Sequence, residues 1–231
     1  VVDIARLAAE SAPDIQIAVA TEDERIKQHC EEIGVKCVMT TQSCRTGTDR
    51  TKEAIQKLDP KPDFAINIQG DVPFTPPSII KGVISAYRQN PGQDVITPAH
   101  NLSWDELDIL RERKKETPFS GTTVTFDKNH KAFWFSKNII PGIRKESELR
   151  QKEPRSPVWM HIGIYGYRVD VLENYVTLPS GHYEELEGLE QLRFLENGLC
   201  VQVVPVTVEA GMINSGIDSP EDLAYAEKIL K

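Results

Sequence analysis

The sequence predicts an α/β fold with a mostly parallel central sheet, and three observations carry that expectation. Over the first hundred residues short apolar strands alternate with amphipathic helices, the pattern of right-handed crossovers between parallel strands. The run "FAINIQ" is apolar at nearly every position, as a strand buried on both faces would be. That run ends in Gln69-Gly70-Asp71, at a strand's carboxyl end, where open α/β sheets present ligand-binding groups.

In chain order, "VVDIARLAAES" spaces Val2, Ile4, Leu7 and Ala8 as one face of a helix. "IQIAVAT" reads as a strand. Thr21 then caps the helix "EDERIKQHCEEI", with Glu24 completing a capping box and Gly34 ending it. "VKCVMT" is a strand and "DRTKEAIQKL" a helix stopped by "DPKPD". After "FAINIQ", Thr75 and Pro76 open the helix "PPSIIKGVISAYRQ", and "DVITPAH" is the next strand. A doubly wound fold normally opens on a strand and a phosphate-facing loop. This chain opens on a helix, so its first βα unit is expected to be missing.

The second half changes character. "SWDELDIL" is a short capped helix, and "TTVTFDKNHKAFWFSK" two strands around an Asp-Lys-Asn-His turn. "IRKESELRQKEPRSP" has no apolar period and reads as a mobile loop. "HIGIYGYR" reads as one strand, "EELEGLEQLRFLENG" as one helix ended by Asn197-Gly198, and "LCVQVVPVTV" as a strand. Ser219, Pro220 and Asp222 open a last helix.

Composition narrows function by exclusion. The 231 residues are 39% hydrophobic and 27% charged, with a net charge of −8. So acidic a surface argues against broad binding to nucleic acid or anionic membranes, and leaves room for a small anion in a local basic pocket. No apolar run approaches the roughly 20 residues of a membrane helix. Cys30, Cys37, Cys44 and Cys200 form no Cys-x-x-Cys pair and read as reduced thiols of a cytoplasmic protein. His29, His100, His130, His161 and His182 are too scattered for a zinc site.

The candidate chemical residues each have a bland alternative. Asp71 ends a buried strand and Asp218 precedes a helix start. Two isolated carboxylates suit magnesium, which keeps waters and substrate phosphates in its shell. Equally, Asp71 could serve a turn and Asp218 the electrostatics of a helix start. "CRTGTDR" sets Arg45 and Arg50 around Gly47-Thr48-Asp49 between a strand and a helix, an anion-binding arrangement or a plain loop and cap. His161 begins a strand whose face Tyr165 and Tyr167 share. Glu190 and Gln191 lie within a helix, and Lys137 closes "FWFSK".

Taken together, "SCRTGTDR", "NIQGDVP", "AFWFSKNIIP", "HIGIYGYR", "LEQLRFLENG" and "SGIDSPEDL" resemble the 3-deoxy-manno-octulosonate cytidylyltransferase (CMP-Kdo synthetase) family, in order and in register over almost the whole chain. The resemblance implies a Rossmann-like nucleotidyltransferase with a smaller sugar-binding and dimerisation subregion. It implies one domain over residues 1–231: a nucleotide-binding part at 1–101, a sugar-binding and dimerisation part at 102–200, and a return to the main sheet at 201–231. The implied reaction is attack of the anomeric hydroxyl of a 2-keto-3-deoxy sugar acid, Kdo or a close analogue, on the α-phosphate of CTP. The products are a CMP-sugar for lipopolysaccharide or surface glycan, and pyrophosphate.

By resemblance, Asp71 and Asp218 are the catalytic carboxylates that hold Mg2+. Gly47, Thr48, Asp49, Arg50 and Gln69 face the nucleotide. Gln69, Lys137, His161, Tyr165, Glu190 and Gln191 face the sugar acid. A cytoplasmic homodimer is implied, with no nucleic-acid or membrane partner. The chain departs from the family pattern in lacking the leading strand and its Gly/Ser-rich loop, in having Val72 where Glu is usual after "QGD", and in having Lys137 where Arg is usual. A synthetase for a different 2-keto acid and a non-catalytic nucleotide-sugar-binding relative are the alternatives.

Overall fold

The structure, a computed structural model, describes residues 1–44, 46–208 and 217. The expected alternation is present. Helix α1 (Val2–Ala9) is followed by β1 (Ala18–Thr21), α2 (Glu24–Glu32), β2 (Lys36–Met39), α3 (Gly47–Gln56), β3 (Phe64–Asn67), α4 (Pro77–Gln89) and β4 (Val95–Ser103). Asp23 rather than Thr21 caps α2, its carboxylate accepting from the Arg25 N–H. Thr21 instead accepts the Asp23 N–H through its hydroxyl at 3.1 Å. The second half supplies α5 (Trp104–Glu116), β5 (Thr123–Phe126), β6 (Ala132–Ser136), α6 (Glu146–Lys152), β7 (Arg155–His161), β8 (Tyr165–Arg168), α7 (Val169–Tyr175), α8 (His182–Glu187), α9 (Gln191–Glu196) and β9 (Val201–Val206). The predicted last helix and Arg45 lie outside the described residues.

The expectation of a mostly parallel sheet needs correcting. β1 and β2 pair in parallel as a separate two-stranded sheet. In the main sheet, among the described residues, only β4 and β9 pair in parallel, while β3–β8, β8–β4, β4–β7, β7–β5 and β5–β6 are antiparallel. The cause is insertion rather than a wrong crossover. β3 and β4 run the same way, as the β3–α4–β4 alternation requires, but β8 arrives later in the chain and wedges between them in the opposite sense. Strand alternation records direction and says nothing about a strand that intervenes from far along the sequence.

Three smaller corrections follow from tertiary context. The basic stretch expected as a mobile loop contains α6, held on α5 by ion pairs. Arg150 reaches Asp108 at 2.6 Å and Glu146 at 2.7 Å, and Arg111 reaches Glu146 at 2.8 Å. "HIGIYGYR" is not one strand. β7 ends at His161 and β8 begins at Tyr165, and both run along β4 with Ile162–Ile164 looping over Thr97 and Pro98. "EELEGLEQLRFLENG" is two helices. Gly188 takes φ +63°, a left-handed conformation that ends α8.

The main core joins Val95, Ala99, Phe135, Tyr167, Leu172, Tyr175, Leu192 and Phe194, so β4, β8, α7 and α9 share one interior. β8 passes close under α4 at Gly166, where an added Cβ would stand 2.2 Å from Phe64 Cζ and 3.0 Å from Val83 Cγ1. Phe64 cannot swing clear, because its ring is stacked on Tyr87 at 3.9 Å. Gly166→Ala therefore overpacks this layer and should cost about 1–3 kcal/mol. In a chain of this size that lowers Tm by roughly 2–4 °C per kcal/mol in a thermal melt. An unchanged Tm would show that the layer can open.

Candidate functional site

The site assembles where β3 ends, where α3 begins, and along the break between β7 and β8. α3 starts at Gly47 because Thr46 caps it, its hydroxyl accepting the Asp49 N–H at 3.1 Å. Gly47 is required by close approach: a Cβ there would lie 3.3 Å from Asn67 Nδ2 at the end of β3. The first turn of α3, with its unpaired N–H groups and positive dipole end, is thus docked beside the end of β3. Arg50, on the same helix, donates to Thr40 Oγ1 at 2.6 Å and forms an ion pair with Glu22. Its guanidinium is braced against the end of β2 and the turn after β1.

From Thr48 the site continues as a chain of contacts. Thr48 Oγ1 lies 3.4 Å from the Tyr167 hydroxyl. The Tyr167 ring stacks on Tyr165 at 5.8 Å, and Tyr165 meets the His161 ring at 5.3 Å. Burial raises the Tyr165 phenol well above its ordinary range, and neighbouring Tyr167 adds to the shift. His161 is enclosed by Phe135, whose ring is 5.1 Å away, and bonds Thr97 Oγ1 at 2.8 Å. Thr97 is also 2.8 Å from the Ile164 carbonyl, which can only accept. The Thr97 hydroxyl therefore gives its proton to that carbonyl, His161 Nε2–H donates to Thr97, and His161 Nδ1 keeps its lone pair. Burial, reinforced by the nearby Lys137 ammonium, lowers the His161 pKa to about 3, so the imidazole stays neutral at physiological pH.

Glu190 closes the opposite side. It sits at the start of α9, where the Tyr175 hydroxyl donates to its carbonyl at 2.9 Å. Burial raises the Glu190 pKa, opposed by hydrogen bonds from the Thr48 and Thr46 hydroxyls. Gln191 beside it is buried.

The structure thus brings Gly47, Thr48 and Asp49 together with Tyr165, His161, Lys137, Glu190 and Gln191. Gln69 is exposed on the turn leaving β3. The sequence reading placed His161 at a strand start and Glu190 inside a helix. His161 stands instead at the end of β7, enclosed by neighbouring rings, and Glu190 at the cap that opens α9. Thr97 and Thr46 were missed. A threonine inside the otherwise apolar "DVITPAH" was the available signal for the first.

Asp71 lies in the turn four residues beyond the end of β3, and its carbonyl accepts the Ile217 N–H at 2.8 Å. Asp218 itself lies outside the described residues, but its predecessor is tied to Asp71. Asp71 Oδ1 is buried and has no hydrogen-bond partner among the described residues. A buried carboxylate oxygen left unpaired is costly, and a cation would satisfy it. Among the described residues no group of three or more His, Cys, Asp or Glu side chains gathers as a metal cluster. A donor set of one or two carboxylates suits magnesium that is shared with phosphate oxygens.

The sequence profile of the cytidylyltransferase family matches residues 2–208. The 3-deoxy-manno-octulosonate cytidylyltransferase of Maricaulis maris is 40% identical over 225 residues, a match spanning 97% of this chain and 84% of that protein. A Chlamydia trachomatis serovar L2 protein of the same name is 37% identical over 214 residues, spanning 93% and 77%. Among solved structures, a CMP:2-keto-3-deoxy-manno-octonic acid synthetase complexed with CTP superposes with a TM-score of 0.81 at 29% identity. That match covers 99% of this chain and 86% of that one. A 4-diphosphocytidyl-2C-methyl-D-erythritol synthase from Anaerococcus prevotii, with a TM-score of 0.58 at 16% identity, shares the fold.

Proposed function

The chain belongs to the 3-deoxy-manno-octulosonate cytidylyltransferase family, and from that membership we propose the division of labour in its site. The enzyme transfers the cytidylyl group of CTP to Kdo, giving a CMP-sugar and releasing pyrophosphate. The observation that carries the assignment of roles is the contact chain from Thr48 through Tyr167 and Tyr165 to His161. It sets an anion-binding helix start and a neutral, hydrogen-bond-accepting imidazole on one surface, as a reaction between a triphosphate and a polyhydroxy acid needs.

In this reading the first turn of α3 and the braced Arg50 receive the nucleotide. Lys137 offers a positive charge to the sugar-acid carboxylate, while His161 Nδ1, the Tyr165 hydroxyl and Glu190 take sugar hydroxyls. Such groups act by positioning, holding the attacking oxygen near the α-phosphate. Asp71, with Asp218, would hold magnesium, and the unpaired Asp71 Oδ1 supports this. When bound, that ion supplies neutralisation of charge developing on the phosphates.

We place the reaction in the cytoplasm, where CTP is made; among the described residues no helix is long and apolar enough to cross a membrane. We also place a homodimer contact on the β6 edge. Phe133 there is 63% exposed on one face, and on the other Tyr183, whose ring meets Trp134 at 5.0 Å, is also exposed.

The test is pyrophosphate release with CTP and a panel of 2-keto sugar acids. Kdo should be the best acceptor and CTP the best nucleotide. A different acid preferred by tenfold or more would favour a related CMP-sugar-acid synthetase, the reading that Lys137 in place of Arg motivates. No release with any acid would favour the non-catalytic relative.

A further inference from the structure

Lys137 is held in an unusual way. Its backbone N–H donates to Glu187 Oε2 at 2.8 Å, and its carbonyl accepts from the Lys114 ammonium at 2.5 Å. One residue's peptide groups are thus gripped from both ends by side chains of opposite charge. Such charge-assisted bonds are short and directional, so they fix the peptide units on either side of Lys137 more firmly than neutral contacts would.

Each grip is itself anchored. Glu187, the last residue of α8, also accepts from Ser136 Oγ at 2.9 Å, and Ser136 Oγ accepts the Asn138 N–H at 2.9 Å. Lys114, in the last turn of α5, is caged by carbonyls. Besides that of Lys137 it reaches those of Ser120 at 2.5 Å, Gly121 at 3.1 Å and Pro118 at 3.2 Å. It forms no ion pair within 4 Å among the described residues; its direct bonds are all to carbonyls, with the Glu187 carboxylate a more distant attraction. Helix stability does not need this, since an ordinary solvated lysine serves a helix C-terminus equally well. What the cage does is tie the 117–121 loop and α5 to the end of β6.

The side chain of Lys137 makes none of these bonds, although its charge repels the Lys114 ammonium. It forms no ion pair among the described residues, and its charge acts on His161. A lysine with four rotatable bonds is a poor directional partner for a carboxylate. Fixing its backbone shortens the range over which its ammonium wanders, and so recovers part of what an arginine fork would provide.

We propose that Lys114 and Glu187 are positioning residues that aim Lys137 at the sugar-acid carboxylate and thereby set acceptor affinity. The inference rests on the reading of Lys137 as the carboxylate partner, and the experiment separates the two. Lys137→Ala, Lys114→Met, Glu187→Gln and the double variant Lys114→Met/Lys137→Ala are compared with the parent enzyme. Steady-state pyrophosphate release is followed with Kdo and CTP varied in turn, and thermal melts are run in parallel. Lys137→Ala should raise KM for Kdo by roughly ten- to a hundredfold, the worth of one charge-assisted bond. Lys114→Met should raise it about tenfold and leave KM for CTP within about twofold. In the Lys137→Ala background Lys114→Met should add nothing, because the residue it aims is gone. Glu187→Gln keeps an acceptor for one of its two bonds and should show a smaller change of the same kind, which serves if Lys114→Met folds poorly.

A raised KM for Kdo in Lys137→Ala with equal effects of Lys114→Met in both backgrounds would overturn the positioning role alone. So would a lowered Tm in Lys114→Met and Glu187→Gln with KM for Kdo unchanged. An unchanged KM for Kdo in Lys137→Ala would overturn both readings.

Discussion

Asp71→Asn should fold as the parent does and turn over about a thousandfold more slowly, the largest effect expected of any single change. The side chain keeps its shape, and the change removes a buried charge whose Oδ1 has no partner among the described residues. Stability should therefore stay close to the parent's, since the amide fills the same space at a half-buried position. Activity should not survive. Stabilising charge on a transferring phosphoryl group is worth several kcal/mol, and about 4 kcal/mol corresponds to a thousandfold in rate. A melting curve and a pyrophosphate-release assay across a magnesium titration check both halves together. Parent-like kcat at ordinary magnesium would remove Asp71 from the metal role. A loss of Tm with proportionate loss of activity would make it a turn residue after all.

The position of Asp71 was legible because one local pattern, an apolar strand followed by Gly-Asp, puts the residue in the turn just beyond β3. The first half of the fold was legible for the same reason: each strand and helix there is specified by its own neighbours in sequence. Legibility fails where a distant partner decides. β8 wedges between β3 and β4 with the register Ile66↔Gly166 and Ile96↔Gly166, and no local pattern in residues 64–103 announces it. α6 has no apolar period, yet it is held by Arg111 and Asp108 of another helix. The site divides the same way. Gly47 and Thr48 follow from a local cap, whereas the joining of His161 to Glu190 depends on Thr97, Tyr165 and Tyr167 meeting in three dimensions. Family resemblance, rather than any local pattern, is what singles those residues out in the sequence.

His161→Phe should lower kcat/KM for the sugar acid by roughly ten- to a hundredfold and change the acid stability of the protein in a predictable direction. The first effect follows from the tautomer. With Nε2–H committed to Thr97, Nδ1 is the acceptor that the proposed site gives to a sugar hydroxyl, and losing such a bond costs on the order of 1–3 kcal/mol. The Phe ring fits beside Phe135 and Tyr165, and Thr97 keeps its bond to the Ile164 carbonyl, so the fold should persist. The second effect follows from linkage. His161 titrates at about 3 in the folded protein against the ordinary 6.5. Between those values the unfolded chain binds a proton at this position and the folded protein does not. Where the unfolded state holds more protons, stability rises with pH, so this group makes the protein less stable as pH falls from about 6.5 toward 3. Phenylalanine has no proton to bind, and that part of the slope disappears. Urea unfolding of both proteins at several pH values between 7 and 4.5 should show His161→Phe gaining on the parent as acidity increases. A pH-independent difference would mean that His161 titrates normally in the folded state, and the neutral acceptor assigned to the sugar pocket would then have to be given up.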